Sequence, residues 1–408
     1  MRYALRDVEV TRALPRVVLD PDQSGLGVLV RRDGRPVDFF LAGLSAGAVL
    51  EPDELALLVS RSSARLVLEE AVRRSLPEPP LQPAATESSV TVAICTRDRP
   101  RELRSCLESV LALREAGDER TFEVLVVDNA PRDTRTEELV RALPSVAYAR
   151  EPKPGLDFAR NRALTEATGE LVAFLDDDTV ADPGWLDGLS EAVRENPDAA
   201  VVTGAVLPYE LETQAQIIFE RRGGFRRGFE KLRYHGPTFP GNPLYPVGAG
   251  LFGAGANMVV RRDVVLALGG FDEALDTGPP LPGGGDLDIF YRVVRAGHPL
   301  VYEPRMLVFH KHRRDLADLR RQYWTWGTGF MAFVSKTYAA DPAQRGKLRH
   351  LIRWWFLEQL RELRRSLRGG GPLTPDLVLA ELAGGVIGLA GTYGRSVRRT
   401  RAISSRAA

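Results

Sequence analysis

The chain has 408 residues, 44% of them hydrophobic and 27% charged, and a net charge of +1. That length allows a large core and more than one domain. A balance this close to neutral gives no reason to expect nucleic acid as a partner. The charge is uneven, because residues 345–408 hold 13 Lys/Arg against 4 Asp/Glu, or +9, which leaves −8 elsewhere. Two cysteines, Cys95 and Cys106, are too few for a disulfide scaffold and fit no metal spacing, so they read as reduced core thiols. The opening MRYALRDVEV lacks the layout of a signal peptide, and a cytoplasmic location is expected.

Residues 1–76 begin with β-like runs, GVLVRR (27–32) and PVDFFLAG (36–43), joined by the hairpin signal Asp33-Gly34. A helical stretch over 53–75 follows, and the whole is expected to form a small β-rich domain of unknown role. The polar, Pro-rich PEPPLQPAATESS (77–89) reads as a linker. From Val90 strands and helices alternate: VTVAIC, a helix with Leu103, Leu107, Val110 and Leu111 on one face, FEVLVV, a helix over 134–143, VAYAR, LDFARNRALTEAT, ELVAFL, and a helix from Trp185 to Glu195. Such alternation predicts an α/β fold with a mostly parallel, helix-covered sheet. Ligands of these sheets bind at the C-terminal strand ends, here Thr96–Asp98, Asp128 and Asp176–Asp178. Residues 208–250 are Gly-, Pro- and Arg-rich without periodicity and predict a long functional loop. A mixed region over 251–310 and a helical C-terminal part complete the chain.

Several stretches carry candidate chemistry. In LVAFLDDDT (171–179), strand alternation would turn Asp176 and Asp178 together and Asp177 away. Clustered carboxylates at a strand tip suit Mg²⁺ or Mn²⁺, against the plainer role of capping the next helix through Asp178 or Asp182. GLDFARNRAL (155–164) puts Arg160 and Asn161 in the first turns of a helix, a setting that favours an anion. In GGGDLDIFYRVVRAGH (283–298), Asp286 occupies the expected N-cap, or serves as a general base on a mobile glycine loop. VFHKHRRD (308–315) places His310 and His312 on one face if extended, as candidate metal ligands. The aromatics of QYWTWGTGF (322–330), Trp324 among them, suit either a helix core or a sugar ring.

Taken in order, AICTRDRP, VVDNA, GLDFARNRAL, AFLDDDT, GANMVVRR with GGFDE, GGGDLD and VFHKHR resemble the inverting family 2 glycosyltransferases of the GT-A fold, over residues 90–310 and weakly to 335. The resemblance implies a GT-A domain at 90–335; residues 336–408 read as a helical C-terminal region, either peripheral to a membrane or packed on the protein. It implies a nucleoside-diphosphate sugar donor, of UDP type, contacted by Thr96, Arg97, Asp98, Asp128, Arg160, Asp176 and Asp177. It implies Mn²⁺ or Mg²⁺ on Asp178 and His310, with His312 the alternative, and Asp286 as the catalytic base. Asn257, Gly285 and Trp324 fall on the implied acceptor side, facing the hydroxyl of a glycan or lipid-linked glycan in surface polysaccharide synthesis. Two positions depart from the family: Gly285 stands where a Glu is usual, and Asp128-Asn129-Ala130 replaces the commoner Asp-Asp-Gly/Ser. Gly285 keeps open a catalytically silent sugar-nucleotide-binding protein. A nucleotidyltransferase is disfavoured, since CTRDRP has no glycine after the first strand. The apolar-then-basic segment 373–401 reads either as a membrane-facing element, at the inner face of a plasma membrane, or as a helix packed on the catalytic domain or a second subunit.

Overall fold

The computed structural model describes residues 2–75, 88–115 and 122–407, so most of the linker at 77–89 lies outside the described residues. The N-terminal part comprises β1 (Arg2–Glu9), β2 (Val17–Val18), β3 (Gln23–Arg32), β4 (Arg35–Gly43), β5 (Val49–Leu50) and α1 (Pro52–Ser75). β3 and β4 pair antiparallel with Arg32 opposite Arg35, and the turn between them has positive φ at both Asp33 and Gly34. Asp and Gly tolerate that conformation, which matches the twist of the strands.

The second part contains β6 (Val90–Thr96), α2 (Pro100–Glu115), β7 (Glu123–Asn129), α3 (Arg135–Arg141), β8 (Val146–Glu151), α4 (Leu156–Glu166), β9 (Leu171–Asp176), β10 (Thr179–Ala181) and α5 (Trp185–Glu195). It continues with β11 (Val201–Pro208), α6 (Gln214–Arg221), β12 (Leu232–Tyr234), β13 (Asn257–Arg261), α7 (Arg262–Ala267), α8 (Gly285–Arg295) and β14 (Leu300–His310). Among the described residues these strands form one sheet in the order β10-β14-β11-β13-β9-β6-β7-β8, with β12 on β14. β6, β7, β8 and β9 are mutually parallel, and β11 and β14 run the same way; β10, β12 and β13 oppose them. The fold is therefore α/β with a mostly parallel sheet. Both faces are covered: Val92 and Ile94 of β6 join one core cluster and Ala93 the other, as period-two alternation requires of a strand buried on both sides.

Two expectations change. Residues 208–250 are not a bare loop, because α6 lies within them, started by a capping box in which Thr213 and Gln216 exchange hydrogen bonds. The T-x-x-Q spacing was a readable signal for it. Gly204 marks an irregularity in the β11–β14 register, where a Cβ would stand 2.0 Å from the Met306 carbonyl oxygen. The carbonyls of Ala205 and Met306 there are bonded by the Asn257 side-chain amide at 2.9 and 2.6 Å, and its oxygen accepts from Trp185 Nε1 at 3.0 Å. Asn257 is fully buried sheet repair, and its placement on the acceptor side is corrected.

The C-terminal region is helical: α9 (Leu316–Ala340), α10 (Arg345–Leu367), α11 (Pro375–Ile387) and α12 (Tyr393–Ala407). By length and composition alone, Pro375–Arg406 is long and apolar enough to cross a membrane. The helix is broken, however, at Ala390 and Gly391, which leave helical geometry. Beyond the break α12 is tied to the catalytic part: Ser396 donates to the Ala274 carbonyl at 2.6 Å and Thr400 to that of Glu273 at 3.3 Å. Both cysteines are free, and burial pushes the Cys95 thiol up to about 12.

The N-terminal sheet docks through apolar contacts, with Leu29 and Phe39 in the core of the larger part and Tyr3 packed on Leu211 and Ile217, and also through ions. Arg31 of β3 pairs with the buried carboxylate of Asp182, just beyond β10, and with Asp7 at 2.7 Å. Arg31→Met leaves Asp182 buried without its cation, and a loss of about 3 kcal/mol is expected. Urea unfolding measures it; an unchanged midpoint would show that the docking does not depend on this pair.

Candidate active site

The parallel strands end side by side, with Thr96 opposite Asp128 and Cys95 opposite Asp176 in register. β9 stops at Asp176, and the chain turns through Asp177 and Asp178 into β10. The turn is what separates the three carboxylates. Asp177 points back to β6, accepting from Thr96 Oγ1 at 2.7 Å and pairing with Arg99. Asp178 turns the other way, 3.2 Å from His310 Nε2, 2.9 Å from Arg99 Nη2 and 3.7 Å from Arg313. Asp176, Asp178 and His310 bring ligand atoms within 4.8 Å of one another.

The charges respond to this crowding. Burial pushes the Asp177 carboxyl up to about 7, against the pull of Arg99. Burial acts on Asp178 in the same sense, but His310, Arg99 and Arg313 overcome it and hold the carboxyl below its ordinary value. Burial and the Asp178 charge push Asp176 up. Two carboxylates and an imidazole at this spacing fit a divalent ion that accepts mixed oxygen and nitrogen ligands, as Mn²⁺ does.

His310 is held from behind. Its Nδ1 lies 3.0 Å from His312 Nδ1, and His312 Nε2 lies 2.9 Å from Glu220 on α6. This chain leaves His310 Nε2 as the nitrogen that faces Asp178, and it places His312 outside the ligand group. Burial lowers the pKa of His312. Nothing in the Gly-, Pro- and Arg-rich stretch around Glu220 marks it as a partner of His312; the contact exists only once α6 packs beside β14.

A second group surrounds Asp286. The N-cap of α8 is Gly284, with φ 105°, so the expectation of Asp286 as the cap is corrected. Asp286 sits in the first turn, and its carboxylate accepts from the N–H of Gly255 at 3.1 Å and of Leu287 at 2.8 Å. Arg160 lies nearby, 3.0 Å from Asp157 and 3.8 Å from Asp276. Burial pushes Asp276 up to about 6, against Arg160. The glycine run is wedged, not free: a Cβ on Gly284 would stand 2.9 Å from the Gly329 carbonyl oxygen of α9, and one on Gly285 would collide with Asp157. These glycines allow close approach between three helices, which corrects the reading of a mobile loop.

A cleft of about 830 Å³ joins the two groups; Asp176, His310, Arg160, Asp276 and Asp286 all line it. Trp326 and Trp355 line it too, whereas Trp324 does not, which corrects the placement of Trp324 on the acceptor side. Of the remaining candidates, Asp128 is buried and accepts from Tyr148 at 3.0 Å, with its other oxygen unpartnered. Asp98 accepts from the Arg132 N–H at 2.9 Å, and Arg97 is exposed at the rim. Asn129, the unusual second residue of the Asp-Asn-Ala motif, accepts from the Gly155 N–H at 2.9 Å and donates to the Lys153 carbonyl at 2.7 Å. It therefore anchors the segment that starts α4 and carries Arg160. Arg99, Arg313, Asp157 and Asp276 were not singled out from the sequence; the polar run TRDRP held the first without showing which side chain turned inward.

An α/β sheet thus carries a carboxylate–imidazole group at its strand tips, facing an anchored carboxylate across one cleft. Residues 91–265 match the family described as Glycosyl transferase family 2, and this segment is a family 2 glycosyltransferase domain. The chain is 29% identical over 262 residues to the pre-mycofactocin glycosyltransferase of Mycobacterium tuberculosis, covering 64% of this chain and 50% of that protein. It is 28% identical over 246 residues to the succinoglycan biosynthesis protein ExoM of Rhizobium meliloti, covering 58% and 72%. The chain thus spans about half the length of the mycobacterial relative. Among solved structures, the mannosyltransferase PcManGT of Pyrobaculum calidifontis with GDP-Man and Mn²⁺ aligns with a TM-score of 0.44 and 18% identity, over 85% of this chain and 86% of that one.

His312→Phe removes the hydrogen bond that orients His310. Mn²⁺ titration by electron paramagnetic resonance is expected to show about 10- to 100-fold weaker binding. Equal affinity would mean that the ring behind His310 only fills space.

Proposed function

We propose that the protein is an inverting glycosyltransferase that moves a sugar from a nucleoside-diphosphate donor, of UDP type, to an acceptor hydroxyl with Mn²⁺ or Mg²⁺. The observation that carries this reading is the single cleft lined by Asp176 and His310 of the ligand group and by Asp286. Asp178, Asp176 and His310 would hold the ion, and when bound it supplies positive charge to the leaving diphosphate. Asp128, with its unpartnered buried oxygen, is a candidate hydrogen-bond acceptor for the nucleoside. Asp286 is oriented by two backbone N–H groups and takes the proton of the attacking hydroxyl. Attack from the face opposite the leaving group, in one displacement, inverts the anomeric centre. Trp326 and Trp355 give the cleft aromatic faces for an acceptor ring.

The acceptor we favour is a lipid-linked or surface glycan, met at the inner face of a membrane. The cleft reaches Trp355 of α10 and Glu381 of α11. The exposed face of α10 interleaves Trp354, Leu357, Leu360 and Leu367 with Arg349, Arg353 and Arg364, and Arg368 follows at its end. α11 adds exposed Leu379, Val386 and Ile387, while its Glu381 lines the cleft. Apolar anchors among arginines suit anionic headgroups. The basic residues of α12, by contrast, belong to a helix tied to the catalytic part.

Asp178→Ala and Asp286→Asn test the chemistry. Each is expected to lower transfer by at least about a hundredfold, with Asp286→Asn keeping its Mn²⁺-dependent thermal shift with a sugar nucleotide. Wild-type turnover in both variants would defeat the proposal. The membrane reading predicts co-sedimentation with phosphatidylcholine vesicles containing phosphatidylglycerol, lost in Arg353→Glu/Arg364→Glu. Self-association abolished by the same change, without vesicle binding, would assign the face to a homo-oligomer instead.

A further inference from the structure

The missing side chain at 285 has a structural counterpart. A Cβ built on Gly285 would lie 2.0 Å from Asp157 Oδ2 and 2.6 Å from its Cγ, so the Asp157 carboxyl occupies the volume that a residue at 285 would claim. Asp157 comes from the first turn of α4, a different helix, and is fully buried. Its Oδ1 accepts from Arg160 Nη1 at 3.0 Å, while Oδ2, the atom facing Gly285, has no partner. The backbone N–H of Gly285 is used by Asp276 at 3.0 Å, so it does not satisfy that oxygen.

Asp157 does not line the cleft, but Arg160 does. The guanidinium lies 5.4 Å from the centre of the Phe271 ring, and its Nη2 borders the same side of Gly255 as Asp286 Oδ2: a Cβ there would stand 2.9 Å from the first and 3.2 Å from the second. Arg160 therefore forms the cleft floor beside Asp286, and Asp157 is the carboxylate that grips it from beneath. A bare Gly285 costs no carboxylate. It is the space that lets one arrive from α4.

We propose that Asp157 is a positioning residue: it supplies from α4 the carboxylate that position 285 lacks, and through Arg160 it sets the cleft floor beside Asp286. This rests on Asp286 being the base that receives the acceptor proton. Asp157 touches no substrate, so it acts only through the group it holds.

The test exchanges the source of the carboxylate. Asp157→Ala is expected to lower kcat at least about tenfold, as misplaced catalytic geometry does, with the donor-induced thermal shift retained. Gly285→Ala, whose Cβ displaces Asp157, should behave alike or fold poorly. Asp157→Gly/Gly285→Ala relieves the clash without a carboxylate and should fold but transfer slowly. Asp157→Gly/Gly285→Glu restores an acid from α8 and should recover turnover several-fold over that variant. Should Asp157→Ala fail to fold, Asp157→Asn, which keeps the shape, is compared for kcat in its place. Wild-type kcat in Asp157→Ala or Asp157→Asn, or equal turnover in the two double variants, overturns the inference while leaving the glycosyltransferase reading intact. A wild-type chain that neither binds nor turns over any sugar nucleotide overturns both.

Discussion

Negative charge concentrated at the strand tips is the constraint on which the rest of the structure depends. Asp176, Asp177 and Asp178 sit in one turn, and Asp157, Asp276 and Asp286 lie around Arg160 across the same cleft. Six carboxylates in so little water repel one another, and each must be paired, hydrogen-bonded or protonated. The chain answers with Arg99 and Arg313 at the turn and Arg160 on the opposite side. Burial pushes the Asp177 carboxyl up to about 7 even with Arg99 beside it. Such an arrangement is costly for a fold to keep unless a cation and an anionic ligand use it.

That cost explains the apparent excess of buried polar support. His310 would be a weak orienting group alone, since its ring has two nitrogens of similar chemistry. The relay through His312 to Glu220 assigns one nitrogen to the interior and leaves the other for the cluster. Phe225 packs against both rings, with centroids 5.1 and 5.9 Å away, which keeps water from the relay. On the other side Asn129 fixes the start of α4, so that Arg160 enters the cleft at a set depth. The two departures from the family pattern, Asn129 and Gly285, thus lie beneath the same helix.

The parallel half of the sheet was legible in the sequence because each strand is a short apolar run buried on both faces, closed by a turn residue and followed by a helical period. The rim was legible for the same reason, since the topology puts all those strand ends on one side. What failed were readings that needed an absolute rotation. Trp324 and Trp326 are two residues apart on α9, about 200° around a helix, and nothing local says which faces the cleft. Asn257 opens β13, and its inward turn answers the register irregularity at Gly204, which belongs to two other strands. The run 283–285 was read as mobile because composition cannot distinguish a glycine that moves from a glycine that is pressed against its neighbours. Asp157 went unnoticed because its significance lies in an absence 128 positions away, at Gly285.

The N-terminal sheet belongs to the same logic. β10 is three residues long and forms the edge of the large sheet, yet it begins at Thr179, directly after the aspartate turn, and pairs with β14 at His310. A short edge strand gains little from its own hydrogen bonds, so the geometry between Asp178 and His310 would be loosely held. Arg31 reaches from β3 to Asp182 immediately beyond β10, and Arg35 reaches from β4 to Glu191 on α5 at 3.0 Å. Glu191 is shared with Lys231, beside the β12 strand that pairs with β14 further down. Both ends of the edge are thereby tied to a second sheet. The N-terminal sheet gives this cleft no lining residue, yet its ion pairs brace the edge on which the spacing of the ligand group depends.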